Sequence, residues 1–294
     1  MLYHFNMQTI RIGGVPEHFN FPWTLSKDFG LFERKNIDLQ WSFYSAGTGA
    51  MVADLKAGKL DMAVLLTEGA VSAIIKGLQA KIVKQYITSP LIWGIHTGKE
   101  STLQNIGDCA GKRYAISRFG SGSHLMAMVD AEVRGKKIAE DEFVLVENMG
   151  GATESLNGAQ SDVFFWEKYT TKPLVDQGKL KRIGEFITPW SCFQVVASNS
   201  ILKENPDAVK DLLGVINFAT KQFMTADNSV DMVLENFDMK PEDALSWFYS
   251  TEWNTDFQVS EKMLENVMHS LVKTGNIEAP VNPNTLVAEF VALI

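Results

Sequence analysis

The chain has 294 residues, 46% of them hydrophobic and 21% charged, a composition that excludes a disordered, collagen-like or low-complexity protein. Its 27 basic and 35 acidic side chains give a net charge of −8 with no basic block, which speaks against nucleic acid and an anionic membrane surface as partners. Two cysteines, Cys109 and Cys192, stand too far apart in sequence for a Cys-rich zinc module and are too few for a disulfide framework.

No stretch approaches ~18 consecutive apolar residues, so the chain is not membrane-embedded by a helix. Residues 1–6 carry neither a cationic start nor an apolar run. As written, the chain therefore reads as cytoplasmic, with a periplasmic location as the alternative if it is a trimmed or processed form.

Short apolar runs alternate with helical patterns from the start. Residues 9–13 read as a strand, and 21–30 as a helix stopped by Gly30. In 37–44, Ile37, Leu39, Trp41 and Phe43 alternate with polar residues, the period of a half-buried strand. A helix over 48–57 ends before Gly58. Residues 62–66 form an all-apolar strand suited to burial on both faces. Ala70, Val71, Ile74 and Ile75 then recur at helical spacing up to Gly77, and 81–86 and 91–95 read as two further strands. The pattern restarts with a strand at 113–117, a helix at 123–133, a strand at 143–146, a short helix at 153–157 and a strand at 163–166. A last strand at 193–197 precedes a helical tail. There Asn205 and Pro206 open a helix buried through Val209, Leu212, Leu213, Ile216 and Phe223, and further helices are expected at 229–237, 241–249, 260–274 and 285–293. Strands alternating with helices imply βαβ units and a largely parallel sheet, here as two successive α/β units of about ninety residues. Two such lobes with a helical tail make a clam-shell with the ligand between them.

Several segments in order carry a family resemblance: 10–16 (IRIGGVP), 30–39 (GLFERKNIDL), 45–49 (SAGTG), 57–63 (AGKLDMA), 109–115 (CAGKRYA), 158–163 (GAQSDV) and 189–198 (PWSCFQVVAS). Over residues 8–225 the chain resembles the substrate-binding proteins of alkanesulfonate, taurine, nitrate and thiamine-pyrimidine ABC transporters, although relatives usually have Asp-Leu-Lys-Gly-Lys at 109–113. The segment 15–19 (VPEHF) resembles a subgroup without a secretion signal. The resemblance implies the type 2 periplasmic binding fold: two α/β lobes joined by two crossing strands, with 1–92 and 193–294 forming lobe one and 93–192 lobe two. It also implies a small-molecule ligand, and an ABC permease as a further partner.

Ligands of open parallel sheets sit beyond the carboxyl ends of the strands, which nominates particular loops. Glu17, His18 and Phe19 follow the first strand and offer two polar contacts and a stacking face, or an ordinary solvated turn. Thr48 and Gly49 open a helix whose bare N–H groups bind oxygen atoms, and Thr48 is equally a plain cap. Thr67 and Glu68 follow the apolar strand in the same way, and Glu68 either accepts from a ligand or favours the positive helix end. In the segment 117–124 (SRFGSGSH), Gly120 and Gly122 allow a nest of N–H groups beside Phe119, Ser121 and Ser123, with Ser123 placed to cap the helix. A third glycine is missing for a dinucleotide fingerprint, and no Gly-Lys-Ser/Thr makes it a Walker loop. The resemblance places Gly120–Ser123 in the cleft wall. Arg118 reads equally as a surface ion-pair partner. Gly151 lies in a later loop that opens a short helix. Trp166 and Glu167 end a strand, where the ring stacks on a flat ligand or packs as core.

No close pair of histidines and no Gly-x-Ser-x-Gly elbow occurs, so no metal, cofactor or catalytic residue is expected, and Cys192 in a strand reads as buried. The leading expectation is binding, without chemistry, of a small polar or heterocyclic molecule, with Glu17, Glu68, Glu167 and His18 favouring an amine- or NH-bearing ring. An enzyme on the same fold is the alternative. The Cys-rich run of the relative that makes the thiamine pyrimidine is absent, and the motifs of chorismate-dehydrating enzymes are not recognised. The sensor half of a transcription regulator would need a helix-turn-helix, for which no residues precede Gln8.

Overall fold

A computed structural model describes residues 7–294. The segment 1–6, expected to carry no export signal, lies outside them. The first unit runs β1 (Gln8–Gly14), α1 (Phe21–Asp28), β2 (Ile37–Phe43), α2 (Thr48–Lys56), β3 (Met62–Leu66) and α3 (Thr67–Ile75). After β4 (Ala80–Gly98), the second runs β5 (Tyr114–Ile116), α4 (Gly122–Val133), β6 (Phe143–Leu145), α5 (Met149–Asn157), β7 (Val163–Glu167) and α6 (Lys172–Asp176). β8 (Leu180–Ser198) then leads to α7 (Asn199–Glu204), α8 (Pro206–Thr225), α9 (Ser229–Asn236), α10 (Pro241–Ser250), β9 (Gln258–Val259), α11 (Glu261–Lys273) and β10 (Ala292–Leu293).

One eight-stranded sheet carries the order β2-β1-β3-β8-β4-β7-β5-β6. Its two ends repeat one topology. β1 lies parallel between β2 and β3, and β5 lies parallel between β6 and β7. We call the β1–β3 end lobe one and the β5–β7 end lobe two. Each end is pinned by the same device. Arg11 in β1 holds Asp61 ahead of β3 through its backbone N–H and two guanidinium nitrogens at 2.8, 3.0 and 2.6 Å. Arg113, ahead of β5, holds Asp162 ahead of β7 in the same manner at 2.9, 3.1 and 3.2 Å. A two-pronged guanidinium–carboxylate contact fixes strand spacing as well as charge.

The links between the ends are β4 and β8, each 19 residues long and antiparallel to one another. The expected pair 81–86 and 91–95 is thus one strand, and the expected 193–197 is the last part of another. Pro90 and Pro189 invite a break, since proline cannot donate to a ladder. Here they sit where the register slips between Ile87 and Ile92, so no donor is missed. The expected helix at 285–293 does not form. Val287 instead bridges Ile82, Leu286 and Ala288 exchange backbone hydrogen bonds with Ile82, and β10 pairs with β9. Tertiary pairing satisfies these peptide groups while Leu286, Val287, Ala288 and Val291 are buried. The helix expected from 153 begins at Met149, capped by Asn148, whose side chain accepts from the Gly151 N–H. Asn205 precedes α8 without a side-chain cap bond. No helix of the described residues is long and apolar enough to cross a membrane.

Candidate functional site

The strand-to-helix corners of both lobes converge on one small cavity between the lobes. Lobe one supplies Val15 and Glu17 after β1, Ala46 to Thr48 at the start of α2, and Leu66 at the end of β3. Lobe two supplies Ser117, Ser121, Gly122 and Ser123 around the start of α4, with Trp166 and Glu167 at the end of β7. Leu91, Trp93 and Phe193 of the crossing strands form the floor.

Two helix N-termini meet this space. At α2 the cap position is Gly47, at φ +72°, rather than Thr48. Thr48 is the first helical residue, and its hydroxyl accepts from the Leu66 N–H at 3.1 Å, tying α2 to β3. At α4 the cap is Ser121, whose hydroxyl accepts from the His124 N–H, while Ser123 Oγ accepts from the Ser117 N–H at 3.1 Å. The first N–H groups of each helix have no intrahelical acceptor and suit oxygen atoms of a ligand.

The expected nest is only partly free. Gly120 takes φ +77°, a conformation that favours glycine, and its N–H donates to His124 Nδ1 at 3.0 Å. Burial lowers the His124 pKa to about 4, so this ring accepts as the neutral form. Gly122 serves a different need. A Cβ there would lie 2.5 Å from Leu66 Cδ1 and 2.8 Å from the Trp93 ring, so glycine lets the lobes approach.

The opposite chemistry comes from Glu17 and Glu167. Both carboxyls titrate above the ordinary carboxylate range, chiefly because they are enclosed by protein, and for Glu17 the neighbouring charge of Glu167 adds to this. Thr170 partly offsets the effect by donating its backbone N–H and hydroxyl to Glu167 Oε2 at 2.6 and 2.8 Å. His18 Nε2 lies 3.9 Å from that oxygen, but burial lowers the His18 pKa to about 3, so the contact joins a neutral ring to the carboxyl. His18 is packed among Phe19, Tyr169, Phe237 and Trp247, and Phe19 packs on Phe193 and Trp247. Both therefore back the wall from behind.

Other nominated residues also stand off the cavity. Gly49 is covered by Arg118, whose Nε would lie 2.4 Å from a Cβ there. Thr67 donates to the Ser191 carbonyl and accepts from Gln194. Glu68 Oε2 accepts from Trp190 Nε1 at 3.0 Å, and burial raises its pKa to about 7. Both residues therefore anchor β8. Phe119 is 49% exposed and leans on His124 and Phe143. Gly151 belongs to the first turn of α5, where a Cβ would meet the Val146 carbonyl at 2.1 Å. Trp166 lines the cavity with its ring stacked on Phe164, centroids 5.2 Å apart. Sequence reasoning passed over Leu66, Leu91, Trp93 and Phe193, which look like ordinary strand core. Their only signal is their place at strand ends and beside Pro90.

Contacts cross the cleft on several sides. Arg118 donates to the Ala46 carbonyl, Tyr169 shares a hydrogen bond with Ser246 at 2.9 Å, Lys240 pairs with Asp176 at 2.8 Å, and Lys273 pairs with Glu132 at 3.2 Å. The lobes thus touch as a closed shell, and the helical tail bridges them as well as β4 and β8.

A family profile described as Ca3427-like PBP (periplasmic binding protein) matches residues 93–186. Among curated proteins, none matches the sequence at a significant level. Among solved structures, the Candida albicans CA3427 gene product superposes with a TM-score of 0.87 at 24% identity, over 97% of this chain and 98% of that one. The alkanesulfonate-binding protein SsuA of Xanthomonas axonopodis pv. citri gives 0.78 at 16% identity, over 97% and 98%. The periplasmic nitrate-binding protein NrtA of Synechocystis PCC 6803 gives 0.69 at 14%, over 94% and 84%. With its repeated α/β ends, paired crossing strands and interlobe cavity, the chain has the periplasmic-binding-protein fold of the alkanesulfonate- and nitrate-binding type.

Proposed function

We propose that this protein binds a small polar or heterocyclic molecule between its lobes, with no covalent chemistry of its own. The observation that carries this is the composite wall: each lobe contributes one helix N-terminus and one carboxyl group to the same cavity, above an apolar floor. Helix N-termini and the Ser121 and Ser123 hydroxyls suit the oxygen atoms of a ligand, Glu17 and Glu167 suit its N–H groups, and Trp166 suits a flat ring. A ligand that touches both lobes favours the closed arrangement by contacts that opening would remove. Delivery to an ABC permease is the finer part of this proposal. It is supported by the shared fold of a ligand-binding component of an ABC-type import system from Staphylococcus aureus, at a TM-score of 0.71 and 16% identity.

Native mass spectrometry of protein purified from its own cells tests the binding role. The expected result is a stoichiometric small-molecule adduct that Gly122→Val, wedged against Leu66 and Trp93, fails to retain. A bare mass in the parent protein, or equal retention by the variant, would overturn it.

A further inference from the structure

Resting on that cleft reading, we propose that Glu17 and Glu167 act together as a receptor for one positively charged nitrogen, so that the ligand is a flat monocation such as an amidinium or a protonated ring nitrogen. Both side chains line one cavity from opposite lobes. None of the lining residues described is a lysine or arginine. Two cations stand near the cavity without lining it: Lys168, paired with Glu185 at 3.0 Å, still favours the ionised form of Glu167, and Arg118 donates to the Ala46 carbonyl while its Nε is buried without a partner. His18 faces Glu167 as a neutral ring with its Nε2 buried and unpartnered, so it does not compensate the pair. Thr170 and Tyr169 supply donors to Glu167 only, and Glu68 gives Oε2 to Trp190 and keeps Oε1 buried without a partner. The Cys192 thiol, which burial and the carboxyls of Glu68, Glu167 and Glu17 push up, adds no charge. Two carboxyls, Glu167 buried and Glu17 half-buried, with neither paired directly to a lysine or arginine, cannot both ionise at modest cost, so the pair holds a proton near neutral pH. A pair with one proton carries one negative charge. A single cationic nitrogen neutralises it, while the retained proton bridges or donates to the ligand. A bare anion would face a repelling wall on this side, even though both helix N-termini favour it.

The sign of the pH effect follows. At low pH both carboxyls are protonated, and a cation must displace one proton to solvent. Its affinity therefore rises about tenfold per pH unit until the first proton is lost, and then levels. Benzamidine, a flat permanent monocation across this range, is the probe, with benzamide and benzoate as neutral and anionic isosteres. Calorimetry between about pH 5 and about pH 9 spans the ordinary carboxylate value of ~4.3 and the raised range. We expect benzamidine to bind best, with affinity climbing with pH, and benzamide to bind weakly and independently of pH. Glu17→Gln should leave the midpoint of the climb nearly in place, because that step ionises Glu167 while Glu17 still holds its proton. Glu17→Gln/Glu167→Gln should lose the preference for benzamidine with melting temperature retained. Absence of benzamidine binding at millimolar concentration, a flat pH profile, or an unchanged preference in the double variant overturns the cation receptor. If benzoate or benzamide then binds in the parent but not in Gly122→Val, the cleft reading survives alone. If Gly122→Val binds any probe as the parent does, the cleft reading fails as well.

Discussion

The two ends of the sheet are built alike yet use equivalent corners differently. In lobe one, β3 ends at Leu66 and is followed by Thr67 and Glu68. In lobe two, β7 ends at Trp166 and Glu167. Each corner lies just beyond an Arg–Asp clamp and beside a crossing strand, Leu66 paired with Phe193 and Glu167 with Trp93. Each carries one enclosed carboxyl. Glu68 Oε2 accepts from Trp190, and Thr67 holds Ser191, so the lobe-one corner fixes the crossing strand β8. Glu167 is held from behind by Thr170 and turns toward the cavity. Position in the topology places a carboxyl at each corner, and the surrounding side chains decide whether it lines the cavity, as Glu167 does, or lies behind it, as Glu68 does.

Several substitutions would break or sharpen that contrast. The largest effect is expected from Gly122→Val, which drives a branched side chain between Leu66 of one corner and Trp93 beside the other. Overpacking of about 1–3 kcal/mol falls on the closed form, which corresponds to about 5- to 150-fold in affinity for the retained ligand. Gly120→Val has open space but a left-handed backbone, so its cost of about 1–2 kcal/mol should appear in stability with affinity largely kept. Titration calorimetry and denaturant unfolding of the two variants separate the cases, and equal affinity losses would show that both glycines touch the ligand.

Next comes Glu68→Ala, which leaves Trp190 Nε1 buried without an acceptor and should cost about 1–3 kcal/mol of folding stability. Urea midpoints at constant slope measure it. An affinity loss as large as the stability loss would move Glu68 from the frame to the site.

Trp166→Ala should do the reverse, weakening a flat ligand by about 0.5–1.5 kcal/mol through lost stacking. A large fall in melting temperature with unchanged affinity would instead make Trp166 core, like its neighbour Phe164.

The last effect concerns pH. Burial raises the Glu68 pKa to about 7 in the folded protein, against about 4.3 in an unfolded chain. The folded form therefore binds the proton more tightly, and the stability this gives is complete below about pH 4.3 and is lost as pH rises through about 7. Glu68→Gln keeps an acceptor for Trp190 and escapes that loss. Its melting temperature relative to the parent should be higher at about pH 8 than at about pH 5. A constant difference across this range would show that Glu68 does not titrate there.

Local sequence determined the repeated alternation of strands and helices, because hydrophobic period, glycine stops and caps act within a few residues. The 62–66 run is apolar throughout and is buried on both faces, and Pro206 opens the long amphipathic α8. It also determined the candidate loops, since strand-to-helix corners of a parallel sheet must gather at one edge. Glu17, Thr48, Ser121, Gly122, Ser123, Trp166 and Glu167 do so. Tertiary structure decided what distant partners control. Residues 285–293 carry a helical pattern, yet Ile82 and β9 offer their peptide groups a better-buried pairing. Phe19, Gly49, Thr67, Glu68 and Gly151 occupy corners of the nominated kind, but Trp247, Arg118, Ser191, Trp190 and Val146 reach them first. The facing of Glu17 and Glu167, 150 residues apart, depends on how β4 and β8 bring the lobes together, and no window of sequence contains that distance.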